Sequence, residues 1–172
     1  MTELQPYELV TKAAEFEIRR YPSCQLIEIE AEGDFTTSTW NGFRPLASFI
    51  FGGNARSQEI AMTAPVLQFE QTNSYRISFV LPTGMSQADV PAPNDARITT
   101  RTWPEHLAAA RRFGGAWSEE KFRGEGEILI NALKNAGHET RGQIYWARFD
   151  GPWKPWFLKH NEVQIEIGTL KQ

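Results

Sequence analysis

Apolar and polar residues alternate through residues 25–33, where Ile27, Ile29 and Ala31 stand against Glu28, Glu30 and Glu32. That period of two predicts a strand with one face on a core and the other in water. Residues 16–21, ahead of Pro22, read as its partner. From about residue 38 to 51 the spacing becomes helical, with Trp40, Phe43, Ala47 and Ile50 on one stripe. Gly52, Gly53 and Asn54 end that run, because glycine and asparagine tolerate the left-handed backbone that closes a helix. Pro45 lies inside it and predicts a kink or a division. Residues 60–70 and 74–82 then read as two strands joined by a polar turn at 71–74.

A proline-rich stretch, residues 82–96, separates this half from a second in which the same order starts again. Residues 96–104 read as a strand, 120–137 as a helix stopped at Gly137, and 142–149 and 161–167 as closing strands. A displacement of 82 residues aligns Arg19 with Arg101, Pro22 with Pro104, Gly33 with Gly115 and Gly42 with Gly124. It also pairs Tyr21 with Trp103, Phe35 with Trp117 and Trp40 with Phe122. The expectation is an α+β fold of two βαββ halves, about 7–81 and 97–168, joined by the linker 82–96 and related by a pseudo-twofold axis.

Composition narrows the class. At 172 residues the chain fits one domain and buries a core without staples, and 41% apolar with 23% charged residues is ordinary globular usage. No apolar run is long enough to span a bilayer, and the N-terminus lacks the pattern of a signal peptide, so a cytoplasmic monomer with no membrane partner is expected. One cysteine, Cys24, leaves no disulfide and no cysteine-clustered metal site. The net charge of -3, with basic residues clustered only as the pairs Arg19/Arg20 and Arg111/Arg112, argues against nucleic acid. Six tryptophans can line a ligand pocket or fill a core.

Three segments, "FEIRRYP", "GFRPLASFIFGGNARSQEIAMTAPV" and "ARFDGPWKPWFLKHNEVQIEI", resemble the SOUL haem-binding protein family in order and spacing. The resemblance runs from about Tyr7 to Ile167 and is most specific at the glycine-asparagine helix stop followed by "MTAPV", and at the late "PW" followed by "NEV". It implies a duplicated, distorted antiparallel barrel flanked by two helices, binding haem or another porphyrin as carrier, buffer or sensor, with no reaction firmly attached. It also implies a site at residues 43–51 and 56–66, faced by the loop 152–160. Family members commonly carry basic residues before "NEV"; here the pair is Lys159 and His160.

Haem requires an apolar slot, cations for its propionates and, optionally, an axial His, Met, Cys or Tyr. The candidates are Phe43, Ala47, Ile50, Ile60, Met62 and Trp156 for the slot, Arg56 and Lys159 for the propionates, and His160 as an axial ligand. Met62 reads more often as core filler and His160 as a structural or solvated histidine, and Arg56 equally as a loop charge. Pro65 in a strand-like run marks an edge or bulge, whereas His106 and His138 read as surface residues. No phosphate loop, metal-spaced cluster or nucleophile elbow occurs, and Ser48 and Ser78 have no paired histidine in view. An alternative keeps the fold and changes the function, to an effector-binding module similar to the gyrase-inhibitor type that takes up cationic or aromatic compounds, or hydrolyses them, at a buried glutamate. Glu162 is the matching residue. A third reading is a protein-interaction surface formed by the tryptophans near Pro152.

Overall fold

The computed structural model describes residues 2–151 and 153–169. In chain order the elements are β1 (Glu3–Leu4), β2 (Glu8–Lys12), β3 (Glu17–Tyr21), β4 (Cys24–Ala31), α1 (Phe35–Ile50), β5 (Thr63–Ala64), β6 (Val66–Glu70), β7 (Tyr75–Val80), β8 (Thr99–Trp103), β9 (His106–Phe113), α2 (Glu119–Asn135), β10 (Thr140–Arg148) and β11 (Asn161–Ile167). Short 3-10 turns occupy Gln87–Asp89 and Trp156–Leu158. The elements gather into two compact units that do not follow chain order: Met1–Gln5 with Ser23–Pro104, and Pro6–Pro22 with Glu105–Gln172.

In the first unit β6, β7, β4 and β8 form antiparallel neighbours in that order, and β1 pairs in parallel with β5. Asp34 caps α1, its carboxylate accepting the N–H groups of Thr36 and Thr37. The helix runs unbroken through Pro45 and rests on β4 and β7. Its buried face is Phe35, Ser38, Thr39, Gly42, Leu46, Phe49 and Ile50, so of the stripe expected from hydropathy Ile50 lies on it while Trp40, Phe43 and Ala47 do not. Gly42 lets the helix ride low on the sheet, since a Cβ there would stand 2.5 Å from Cγ1 of Ile77. On β4 the expected alternation holds at Ile27, Ile29 and Ala31, but Glu28 is buried and ion-paired with Arg101 and Arg76.

In the second unit the antiparallel order is β2, β3, β9, β11, β10, with α2 over β9, β10 and β11. Ser118 caps α2, and Phe122, Gly126, Leu129 and Leu133 face inward onto Trp146, Val163 and Ile165. The strands keep free edges: among the described residues β8 pairs only with β4 and β2 only with β3, so the antiparallel sheet structure is open where the resemblance implied a barrel.

Each unit lays one helix on antiparallel strands. β8 and β9 lie 82 residues beyond β3 and β4, and Gly33 and Gly115 share positive φ values of 110° and 113°. Within the helices the match moves by two residues, because the tightly packed partner of Gly42 is Gly126, over Ile144, and not Gly124.

Candidate functional site

The stretch 51–66 belongs to the first unit, and its helix stop divides labour among three residues. Gly52 supplies the left-handed backbone at φ 105°, whereas a Cβ on Gly53 would stand 2.7 Å from the Ser48 carbonyl oxygen. Asn54, only 2% exposed, works through its side chain. Its Nδ2 donates to the carbonyls of Phe49 and Gln58, while its Oδ1 accepts the N–H groups of Arg56 and Gln58. Asn94 N–H donates to Gly53 and Ala55 N–H to Ala92, so the proline-rich stretch is fastened to this turn. The Arg56 guanidinium, exposed, donates to the carbonyls of Ala88 and Asp89.

Ile60 N–H then donates to the Ile50 carbonyl, and both side chains are buried in the core. Met62 is half-buried, with its carbonyl accepting the Glu3 N–H. At Pro65 the run breaks into β5 and β6, with a cis peptide between Ala64 and Pro65. The outer stripe of α1 is apolar: Trp40 is 36% exposed, Phe43 and Ala47 are half-buried, and Phe51 at the helix end is 66% exposed. Phe43 leans on Phe79 at 5.3 Å, and Arg44 stands exposed beside it.

The remaining candidates lie in the second unit, apart from Pro152, which falls outside the described residues. Trp156 is exposed, and Lys159 holds its Nζ 4.4 Å from the ring centroid of Trp117. His160 stacks on Phe149 with ring centroids 4.0 Å apart and the planes 3° from parallel. Its Nε2 lies 2.9 Å from Oε1 of Glu162. Facing an ionised carboxylate, that nitrogen carries the proton, which leaves Nδ1 without a partner among the described residues. His106 and His138 are half-buried rather than on the surface: His106 stacks on Tyr21 at 5.4 Å, and Phe16 meets His138 edge-on at 5.9 Å.

Glu162 is 1% exposed and sits at the centre of a polar network that sequence reading did not assemble. Arg19 Nη1 and Nη2 donate to its two oxygens at 2.8 and 2.9 Å. Arg19 also donates to the Tyr21 hydroxyl at 3.0 Å and from Nε to Glu17 at 3.0 Å, and its guanidinium lies over the Tyr7 ring at 4.2 Å. Gln164 Nε2 donates to Glu162 at 2.6 Å. The available signal was alternation: Glu17, Arg19 and Tyr21 share one face of β3, as Glu162 and Gln164 share one face of β11.

Burial opposes ionisation of Glu162, but hydrogen bonds from His160 and Arg19 outweigh it and hold the carboxyl down at about 2. Burial likewise works against the Arg19 cation, and Glu162 more than restores it. Burial pushes the Tyr21 hydroxyl up to about 12. With both oxygens engaged and its carboxyl held low, Glu162 is a weak base in this arrangement.

One helix on antiparallel strands in each unit, with a buried glutamate held by an arginine in each, defines an α+β fold. The family described as SOUL heme-binding protein matches residues 2–166, and the chain belongs to that family. Heme-binding protein 2 of Mus musculus is 24% identical over 177 residues, covering 94% of this chain and 86% of its own length. Heme-binding protein 1 of Xenopus laevis is 26% identical over 165 residues, covering 85% and 84%. Among solved structures, the EcmrR C-terminal domain aligns with a TM-score of 0.67 at 14% identity, over 95% of this chain and 99% of that one, a likeness of fold.

Proposed function

We propose that this protein binds haem or a related tetrapyrrole as a carrier, buffer or sensor. The observation that carries the reading is the outer face of α1, where Trp40, Phe43, Ala47 and Phe51 leave an apolar stripe in reach of a flat ligand, with Arg44 exposed beside it for a propionate. The residues present fit such a group. Met62, two residues beyond the Ile60 whose N–H is bonded to the end of α1, offers a thioether in the same unit. Bound haem would supply iron-centred redox and gas-ligand chemistry; the chain's own part is to bury the ring face and neutralise the carboxylates.

The alternative, an effector-binding module working through Glu162, finds less support. Both oxygens of that carboxylate are already engaged by Arg19, Gln164 and His160, so no charge is left over for a cationic ligand.

Titration with hemin tests the reading. A saturable Soret change, weakened at least tenfold by Phe43→Asp, is the expected result, and a band shift in Met62→Leu identifies the axial ligand. Absorbance that rises linearly without saturation removes tetrapyrrole binding from consideration.

A further inference from the structure

β5 carries Thr63 and Ala64, directly after Met62, and among the described residues its one strand partner is β1. Glu3 N–H donates to the Met62 carbonyl at 3.0 Å, and Gln5 N–H to the Ala64 carbonyl at 2.9 Å. Side chains fasten both ends of β1. The Glu3 carboxylate accepts the Thr83 N–H at 3.0 Å, and the Gln5 amide donates to Cys24 Sγ at 3.8 Å. Apolar burial adds little, since Leu4 between them is 65% exposed. Thr83 opens the proline-rich stretch whose far end, at Ala92 and Asn94, is bonded to the turn after α1, so β1 is tied to both ends of the 51–66 segment.

The strand that β1 holds is buried. Thr63 is 7% exposed and Ala64 4%, yet the Thr63 hydroxyl has no hydrogen-bond partner among the described residues. An unsatisfied hydroxyl disfavours the state that buries it, and water supplies the missing bond once β5 is uncovered. Stability is uneven within a fold, and short segments with few apolar contacts open ahead of the core. β1 is such a segment. β7, on which β5 also packs, is the opposite case: it lies between β6 and β4, with Ile77 fully buried.

We propose that β1 is a detachable clasp on residues 62–64, which opens as a unit while the core stays folded and thereby admits small molecules to the Met62 thioether and the Thr63 hydroxyl. Met62 is half-buried with the clasp closed, and its own carbonyl takes the Glu3 bond, so release of β1 reaches it directly. The closed form shields the thioether, and the open form presents it. Only the identity of the incoming ligand rests on the tetrapyrrole reading.

The test uses the full chain and no tetrapyrrole, so its failure is distinct from a failure of haem binding, which hemin titration decides. Dilute hydrogen peroxide oxidises thioethers, and peptide mass spectrometry follows the Met62 sulfoxide apart from those of Met1 and Met85. Amide hydrogen exchange follows Glu3, Gln5 and Ile77. In the wild type the Glu3 and Gln5 N–H groups should share one level of protection, roughly a hundredfold or more below that of Ile77. Glu3→Ala/Gln5→Ala should raise the rate of Met62 oxidation about fivefold or more and leave Ile77 protected. Glu3 and Gln5 amides as protected as Ile77 overturn the proposal, because β1 then opens only with the whole fold. An unchanged Met62 rate in the variant overturns it equally. Should the double variant lose protection at Ile77, Glu3→Ala alone gives the same decision from the same two rates.

Discussion

Arg19 and Glu162, 143 residues apart in sequence, meet through two parallel hydrogen bonds of 2.8 and 2.9 Å, and both side chains are almost fully buried. The pair ties β3, near the start of the chain, to β11, near its end. The first unit has a counterpart, since Arg101 grips the buried Glu28 at 2.7 and 3.3 Å. Arg19 and Arg101 are the arginines that the 82-residue displacement aligns.

Removing one partner of the buried pair strands the other. Arg19→Ala should destabilise the fold by about 3–5 kcal/mol, because Glu162 then remains charged and uncompensated. The apolar double substitution Arg19→Met/Glu162→Leu should recover much of that loss, since neither charge is left behind. Urea denaturation of both variants checks the order. A single Arg19→Ala as stable as wild type would show that water reaches the site.

The low pKa of Glu162 makes stability depend on pH. Its folded value, about 2, lies below the ordinary 4.5, so its contribution is fully present above pH 4.5. As pH falls from 4.5 towards 2, the unfolded chain takes up the proton first, and about 3 kcal/mol is lost in that window. Glu28 is also held low by Arg101 and Ser78 against its burial, so the wild-type curve contains both groups. The difference between wild type and Glu162→Gln isolates one. Their urea midpoints should converge as pH is lowered from 6 to 3, and parallel curves would contradict the assignment.

What was legible in the sequence follows from how each element is buried. β4 and β11 showed themselves through alternation and β-branched residues, and α2 through its spacing and its stop at Gly137. β9 did not, because its middle is Ala108, Ala109 and Ala110, covered on both faces and therefore without a period. The 82-residue displacement pointed there, since His106–Phe113 lies 82 residues beyond Cys24–Ala31. The inner face of α1 was misread for a related reason. Ser38 and Thr39 are buried there, their hydroxyls donating to the Phe35 carbonyl, so small polar residues interrupt the inner stripe and its period is hard to read. The network around Glu162 joins residues far apart in the chain, and only the strand pairing brings them together.

Gly42 and Gly126 occupy matching places under different constraints. A Cβ at Gly42 would meet Cγ1 and Cβ of Ile77 at 2.5 and 2.7 Å, atoms next to the β7 backbone that cannot swing away. At Gly126 the close atom is only the terminal Cδ1 of Ile144, at 2.5 Å. Gly42→Ala should cost about 1–3 kcal/mol through overpacking. Gly126→Ala should fall near zero, because the gain of up to about 1 kcal/mol in helix propensity offsets a small rotation of Ile144. Thermal melts of the two variants compare them directly, and equal losses would sink the distinction.

Asn54 supports the end of α1 through two donors and two acceptor contacts, and its substitutions separate these functions. Asn54→Ala leaves the Phe49 and Gln58 carbonyls and the Arg56 and Gln58 N–H groups to find other partners. A loss of about 2–4 kcal/mol is expected from several unsatisfied groups at a buried position. Asn54→Asp keeps the acceptor for the two N–H groups but turns a carboxylate oxygen towards the two carbonyls. Because like partial charges then face each other with little water between them, it should be no better than alanine near neutral pH and should improve as acid protonates the new carboxyl. Amide hydrogen exchange reads this locally: the Arg56 and Gln58 N–H groups should exchange faster in Asn54→Ala and remain protected in Asn54→Asp. Equal protection in both variants would mean that the glycines, and not the asparagine, hold the turn.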